Sequence, residues 1–524
     1  MTMPGFFPMQ DYALTVDRFL DHGAKWHGGA GVVTGGGDRD AVIGYAELRQ
    51  RANSLSGALL DLGLRPGDRI ATLAWNTQNH VEVWYAAMGV GLACHTLNPR
   101  LTPATLAAMV NAAQDRVLAI GAGLSDMARQ LAAACPCIEH VIVLDAEPAF
   151  DGALAVEDLI AGGRPVAWGR FDERSLAGLC FTSGTTGAPK GVGYTHRSNY
   201  LHTLRVLQAD SMALTADDAI LVAVPMFHAN AWGLPFAAPA VGARLVLPGR
   251  VTDGAALAGL IARHQVTVAV GVPTVWLGLV DHLDAVGGET PSLQRIIVGG
   301  SSMPDALLKR LESRLGVTVQ TSWGMTELSP LGAISPRSDR PGAARGAGRP
   351  PMGLDLLLTD EAGVALPEQR NVEGRLKVRG QSVVDTYFGA TESALDADGW
   401  FDTGDLAVID DAGNLTLAGR SKDLIKSGGE WINPVEIEEI VGALPSIGLV
   451  AVIGRADPKW GERPLMVIEP AQGQDIDDGS LKASLKGRVA DWWIPDRIVR
   501  VDAMPLAATG KINKTELRAT YGGA

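Results

Sequence analysis

The sequence predicts an α/β protein. It has a multi-subdomain large N-terminal domain whose third part is β-rich, and a small α+β C-terminal domain. Three observations carry this. Over about residues 40–320, short runs of β-branched residues ended by Pro or Gly alternate with helical apolar patterns. After about residue 340 the turns crowd together, with Asp360-Glu361-Ala362-Gly363 and Asp410-Asp411-Ala412-Gly413-Asn414 between short strands. From about residue 423 a smaller mixed region runs to the end of the chain.

Leu48, Ala52, Leu55 and Leu59 recur at spacings of four and three, which predicts a helix over 45–62. Arg65-Pro66-Gly67-Asp68 is a turn, and Arg69 to Leu73 reads as a strand. Val81 to Val90 is helix-like and Asn98-Pro99 is a loop. Leu221–Val224 before Pro225, Arg244–Leu247 before Pro248, Val266–Val272 before Pro273 and Arg295–Val298 before Gly299-Gly300 read as buried strands of an α/β sheet. Asn433-Pro434 starts a helix, because Asn can cap and Pro suits the first helical position. Ile437, Ile440, Val441 and Leu444 supply its apolar stripe. No repeat of 20–50 residues is visible.

The 524 residues are 47% hydrophobic and carry 45 Lys plus Arg against 58 Asp plus Glu, a formal charge of −13. That is the composition of a folded globular chain, long enough to bury a core without disulfides. The acidic balance argues against a general nucleic-acid binder but leaves anionic small ligands open, since backbone N–H groups can hold phosphate. Cys94, Cys135, Cys137 and Cys180 make neither a disulfide framework nor a zinc ribbon. The N-terminal residues lack the basic and apolar regions of a signal peptide, and the Val83–Cys94 run is too short to span a membrane. A soluble, cytoplasmic protein is expected.

Five segments can carry chemistry. The first is Phe181-Thr182-Ser183-Gly184-Thr185-Thr186-Gly187-Ala188-Pro189-Lys190-Gly191-Val192. Its glycines free the backbone to curl, and its hydroxyls and Lys190 can face a polyphosphate. It is not a P-loop: Pro189 stands where that pattern needs Gly, and Lys190 precedes Gly191 rather than Ser or Thr. A Gly/Thr-rich surface turn fits the same composition. In Ser322-Trp323-Gly324-Met325-Thr326-Glu327, an adjacent hydroxyl and carboxylate suit a phosphate oxygen and Mg²⁺, though Thr-Glu also starts helices. Asp405, in Trp400-Phe401-Asp402-Thr403-Gly404-Asp405, could accept from ribose hydroxyls or close an Asx turn. The stretch from Gly419 to Glu438 is a linker or a hinge. Lys511, in Thr509-Gly510-Lys511, is by itself a solvated loop cation.

In this order and at these separations, the strings resemble the adenylate-forming superfamily of acyl-CoA synthetases, peptide-synthetase adenylation domains and firefly-type luciferases. The likeness spans about residues 40–520, and the 182–191 loop, Gly419-Arg420-x-Lys422-Asp423 and Thr509-Gly510-Lys511 are each specific. The resemblance implies a large N-terminal AMP-binding domain (1–419), a hinge (420–422) and a mobile C-terminal domain (423–524). It implies ATP, Mg²⁺ and coenzyme A as the small-molecule set, and a homodimer. It assigns Thr182, Ser183, Gly184, Thr185, Thr186, Gly187 and Lys190 to the β- and γ-phosphates, Thr326 to the α-phosphate and Glu327 to Mg²⁺. Asp405 and Arg420 would bind ribose hydroxyls. Lys511 would bridge acyl and phosphate oxygens, and Lys422 would be the pivot. Gly299, Gly300, Ser301 and Ser302 fall where the family lines the adenine and the acyl channel. Trp323 and Gly324 lie at the adenine; the family usually has Tyr at the first of these, so the hydroxyl is gone.

The acyl pocket is expected from Val224 to Trp232, with His228 and Trp232 near the carboxylate or chain, and Trp276 as a further wall candidate or a packed core aromatic. Relatives that activate amino acids place Asp after the Phe of this string; here it is His228. The Met-Phe-His-Ala-Asn-x-Trp-Gly string is similar to that of bacterial medium-chain and 3-methylmercaptopropionate CoA ligases. The expected activity is therefore ATP-dependent ligation of a short- to medium-chain carboxylic acid to CoA through an acyl-adenylate. The alternatives are an aryl acid (cinnamate-like) CoA ligase and an acyl-AMP ligase loading a carrier protein. A light-emitting oxygenase has no feature in its favour, and intact Lys190, Glu327, Asp405, Arg420 and Lys511 argue against an inactive binding protein.

Overall fold

The computed structural model describes residues 9–10, 12–36, 39–148, 150–182, 189–337, 346–420, 423–427, 430–471, 473–474, 476–507 and 510–523. Its framework is four sheets of seven, eight, four and five strands. The expected strands Arg69–Leu73, Arg244–Leu247 and Arg295–Val298 form with those bounds, and the neighbouring runs form as Ala219–Val222 and Val268–Gly271. The predicted helix is Tyr45–Asp61, and it buries Leu48, Ala52, Leu55 and Leu59. Each of these leucines removed from water stabilises by about 1.5–3 kcal/mol.

The seven-stranded sheet runs, in spatial order, Ala153–Ala155, His140–Val143, Val117–Ile120, Arg69–Leu73, Ala93–Thr96, Leu176–Thr182 and Lys190–Thr195. Its pairs are parallel except the last, which is antiparallel. In the eight-stranded sheet the inner strands are parallel, and the edge strands Leu331–Ile334 and Ala41–Gly44 run antiparallel. One large core joins the two sheets. Ile70 comes from the first and Ile220 and Val222 from the second, with Trp84, Tyr85 and Phe236 from helices Gln78–Gly89 and Leu234–Val241 packed against them. Fully covered parallel strands explain why their sequences are continuous apolar runs rather than alternating ones.

Beyond residue 346 the close turns join four antiparallel strands, Leu354–Thr359, Glu373–Gly380, Phe401–Ile409 and Leu415–Arg420. The last sheet contains Ile447–Asp457 and Gly461–Pro470, and the helix Pro434–Gly442 packs on it through Ile437 and Val441. Asn433 caps that helix by accepting from the Val435 N–H at 3.1 Å. It also donates to the Ala418 carbonyl, which ties the small region to the four-stranded sheet. No helix among the described residues is long and apolar enough to cross a membrane.

Candidate active site

Three candidate segments leave the eight-stranded sheet at the carboxyl ends of its parallel strands, the usual ligand edge of an open α/β sheet. Ala219–Val222 runs on into the Val224–His228 string, Arg295–Val298 into Gly299–Ser302, and Thr318–Gly324 into Thr326 and Glu327. Asn76 fixes the first of these exits. Its side-chain amide donates to the Val222 and Val224 carbonyls at 2.9 and 2.8 Å, and its oxygen accepts from the Met226 N–H at 2.7 Å. Asn76 follows a strand of the other large sheet, so one buried amide sets the pocket string across two sheets.

The string then makes an unusual turn. Ala229, Asn230, Ala231 and Trp232 have φ of 44°, 51°, 47° and 55°, and Gly233 follows at 77°. Left-handed backbone costs an L-residue about 1–2 kcal/mol, so its surroundings must hold it. The Cys180 thiol donates to the Asn230 side-chain oxygen at 3.4 Å, and Cys180 is itself 3.2 Å from the Thr96 hydroxyl. The Ala231 N–H donates to the His228 carbonyl at 3.1 Å. The turn lays Trp232 against Gly299, with its Cη2 3.0 Å from where a Cβ on Gly299 would stand. A side chain at Gly299 would collide with the Ser322 hydroxyl at 2.5 Å and press on the indole.

Lys511 reaches this place from the far end of the chain. The Thr274 hydroxyl donates to the Gly510 carbonyl at 3.2 Å, which seats the Lys511 loop. The Lys511 Cε lies 3.3 Å from the Cβ position of Gly300. Burial and the neighbouring Arg420 push the ammonium down to about 8, with Asp405 opposing. Burial, then Lys511, pushes His228 down to about 4, so its imidazole is neutral at physiological pH.

Asp405 and Arg420 face each other on paired strands. The Arg420 Nε is 3.1 Å from one Asp405 oxygen, and the Trp323 indole N–H donates to the other at 2.9 Å. Burial raises the Asp405 carboxyl above the usual range, and these partners pull against that rise. Glu327 is only 9% exposed. It accepts from the Tyr387 hydroxyl at 3.1 Å, and no ion pair to it is found among the described residues. The Thr326 carbonyl accepts from the Tyr194 hydroxyl at 2.8 Å. Lys190 lies 4.9 Å from the centroid of the Tyr387 ring, and the Thr182 hydroxyl donates to the Lys190 carbonyl at 3.4 Å.

Ser301 and Ser302 are exposed on the loop after Gly300. Gly324 has no room for a side chain, since its Cβ would stand 2.3 Å from the Pro330 carbonyl oxygen. Ser183, Gly184, Thr185, Thr186 and Gly187 of the phosphate loop, Lys422 and Thr509 lie outside the described residues. Trp276 needs a correction. It is fully buried in a second core, against Gly271, so it is the packed core aromatic of the two expected readings. A helical Trp at the end of a strand looks the same in sequence whichever face of the sheet it enters. Sequence reasoning missed Asn76 and Tyr387, because a lone Asn or Tyr outside a motif carries no local signal; Asn230 lay inside the pocket string but was given no role of its own.

A buried carboxylate paired with an Arg, a second buried carboxylate beside Tyr387 and Lys190, and a lysine arriving from the C-terminal region accord with the class of adenylate-forming enzymes. The sequence profile of the AMP-binding enzyme family matches residues 20–388, and that of the AMP-binding enzyme C-terminal domain matches residues 436–511. The chain belongs to this family and is an acyl-CoA ligase of the AMP-forming type, whose substrates include ATP and CoA. It is 40% identical to the 3-methylmercaptopropionyl-CoA ligase of Ruegeria lacuscaerulensis over 98% of this chain and 99% of that protein. It is also 40% identical to the medium-chain-fatty-acid–CoA ligase of Ectopseudomonas oleovorans over 97% of this chain and 96% of that one. Among solved structures, the anthranilate CoA ligase AuaEII with anthranoyl-AMP superposes at a TM-score of 0.88 with 25% identity, covering 98% of this chain and 99% of that one. ATP-bound MatB from Rhodopseudomonas palustris superposes at 0.86 with 27% identity over the same shares.

Proposed function

We propose that the protein activates a short- to medium-chain carboxylic acid, an alkanoate or a thioether acid of similar length, and passes the acyl group to CoA. One observation carries this reading: Lys511 and Trp232 lie against two adjacent glycines, Gly300 and Gly299. Lys511 Cε is 3.3 Å from the Cβ position of Gly300, and Trp232 Cη2 is 3.0 Å from that of Gly299. A carboxylate beside Lys511 thus has its chain running toward a rigid indole a few carbons away. The relatives named for 3-methylmercaptopropionate and medium-chain fatty acids support the same size range.

In the first half-reaction the substrate carboxylate oxygen attacks the α-phosphorus of ATP, and pyrophosphate leaves with the bond it broke. Two anionic groups must meet, so charge placed in advance at the point of contact lowers the barrier. Lys511 supplies that charge between acyl and phosphate oxygens. Thr326 contacts the α-phosphate, and Thr182 and Lys190 flank the β- and γ-phosphates. Asp405 and Arg420 hold the ribose. Neutral His228 sits at the acid's head without adding charge. Glu327 fits a magnesium site: it is a buried carboxylate with a neutral hydroxyl partner, and Mg²⁺ typically takes one or two carboxylates together with substrate phosphates. The ion, when bound, would neutralise phosphate charge.

In the second half-reaction the CoA thiolate attacks the acyl carbonyl and AMP leaves. Lys511 serves only the first, so residues 423–524 turn about 420–422 between steps. A homodimer and a cytoplasmic location belong to the same reading on the resemblance alone.

The test is AMP release with CoA across acetate to decanoate, with 3-(methylthio)propionate and cinnamate beside them. A maximum among acids of about three to ten carbons supports the proposal. A clear preference for cinnamate, or adenylate formation that CoA does not discharge, would overturn it.

A further inference from the structure

Trp323 stands where relatives usually carry Tyr, and its ring is not free. It is 6% exposed and packs into the core of the β-rich region with Leu328 and Ala333. A Cβ on Gly332 would stand only 2.4 Å from its Cζ3. The polar atom of the indole is committed as well, since Nε1 donates to Asp405 Oδ2 at 2.9 Å. The other partner of that carboxylate is Arg420, whose side chain is 44% exposed and ends the last strand before residue 423. Trp323, in contrast, belongs to the strand Thr318–Gly324 of the eight-stranded sheet.

We propose that Trp323 is a positioning residue: its indole N–H fixes the Asp405 carboxylate to the large sheet, so that the orientation of that carboxylate does not depend on Arg420. A carboxylate oxygen that accepts one N–H keeps a lone pair for a hydroxyl. Pinning Oδ2 from below sets the plane in which the remaining lone pairs are presented. Without the N–H, the remaining direct side-chain partner of the carboxylate among the described residues is an exposed guanidinium at the edge of the moving region, with the Lys511 charge nearby. Its orientation then varies as that region turns. This rests on the reading that Asp405 binds the ribose hydroxyls, and the experiment separates the two.

The measurement is KM and kcat for ATP and for 2′,3′-dideoxy-ATP in acid-dependent pyrophosphate exchange. The proteins are the full-length parent, Trp323→Phe, Asp405→Ala, and a form with benzothienylalanine placed at position 323. That last residue keeps the bicyclic ring and lacks the N–H, so it removes the bond without opening a cavity. Loss of one hydrogen bond to a carboxylate should raise KM for ATP roughly tenfold in both Trp323 forms, with kcat within about twofold. The dideoxy nucleotide should bind the parent and both forms alike. An equal rise in KM for both nucleotides, or no rise with benzothienylalanine, overturns the role of Trp323. If the Asp405→Ala penalty is also the same for both nucleotides, the ribose assignment of Asp405 fails instead.

Discussion

Lys511 passes over Gly300 with its Cε 3.3 Å from where a side chain would begin, and Gly300 itself has φ of 85°. A residue from the end of the chain can reach the pocket because a glycine, and no larger residue, forms that part of its wall. Gly300→Ala should therefore strain the backbone and lift the lysine together. Adenylate formation should fall by about ten- to a hundred-fold, from roughly 1–3 kcal/mol of strain and displacement. Thioester formation from supplied acyl-AMP should change little. Separate assays of the two half-reactions decide it, and equal losses would mean that Gly300 serves the fold alone.

Lys511→Ala should cost on the order of 100- to 1,000-fold in adenylate formation and spare the thioester step. The pH profile gives a second view. Burial and Arg420 lower the ammonium to about 8, so its charged form is complete below that value and is lost as pH rises through it. In the free enzyme, kcat/KM for ATP should thus decline above about pH 8. Lys511→Arg, which stays protonated, should lose that basic limb even if its rate is lower. A limb that survives the Arg substitution belongs to another group.

Tyr387→Phe removes the hydroxyl that donates to Glu327 at 3.1 Å. Outer partners of metal-binding carboxylates typically matter by about 10–100-fold in metal affinity. The Mg²⁺ concentration for half-maximal exchange should rise within that range, while KM for the acid holds. Glu327→Gln should shift the Mg²⁺ dependence further. Unchanged Mg²⁺ titrations in both variants would remove Glu327 from the metal site.

Trp232→Ala opens the end of the pocket that faces Gly299. Each methylene gained or lost there is worth roughly 1–3 kcal/mol. Short acids should lose kcat/KM, and longer ones should lose less or gain, so the optimum moves by one or two carbons in a series from propionate to dodecanoate. A uniform drop with the rank order kept would make Trp232 a packing residue like Trp276.

The sequence alone determined the elements and the chemistry set. Short apolar runs ended by breakers suit strands covered on both faces, and Arg244–Leu247 and Arg295–Val298 formed with the expected bounds, as did Arg69–Leu73 after its turn. Asn433 capped its helix because its side chain competes for the adjacent N–H wherever it is placed. The phosphate-type loop, Asp405, Arg420 and Lys511 stood out in the sequence only in combination, because each string alone also fits a turn, a linker or a solvated loop. Only the tertiary structure decided where the aromatics pack. Trp232 and Trp276 both follow strands of the same sheet; one lies in the large core against Gly299 and the other in the second core against Gly271. Ala-Asn-Ala-Trp has no local preference for left-handed backbone, and the turn exists because Cys180 and the residues packed around it hold it there. Nor does anything between Gly300 and Lys511 in the chain announce that they touch. Periodicity reports which face of an element is covered, but the partner that covers it comes from distant segments packing together.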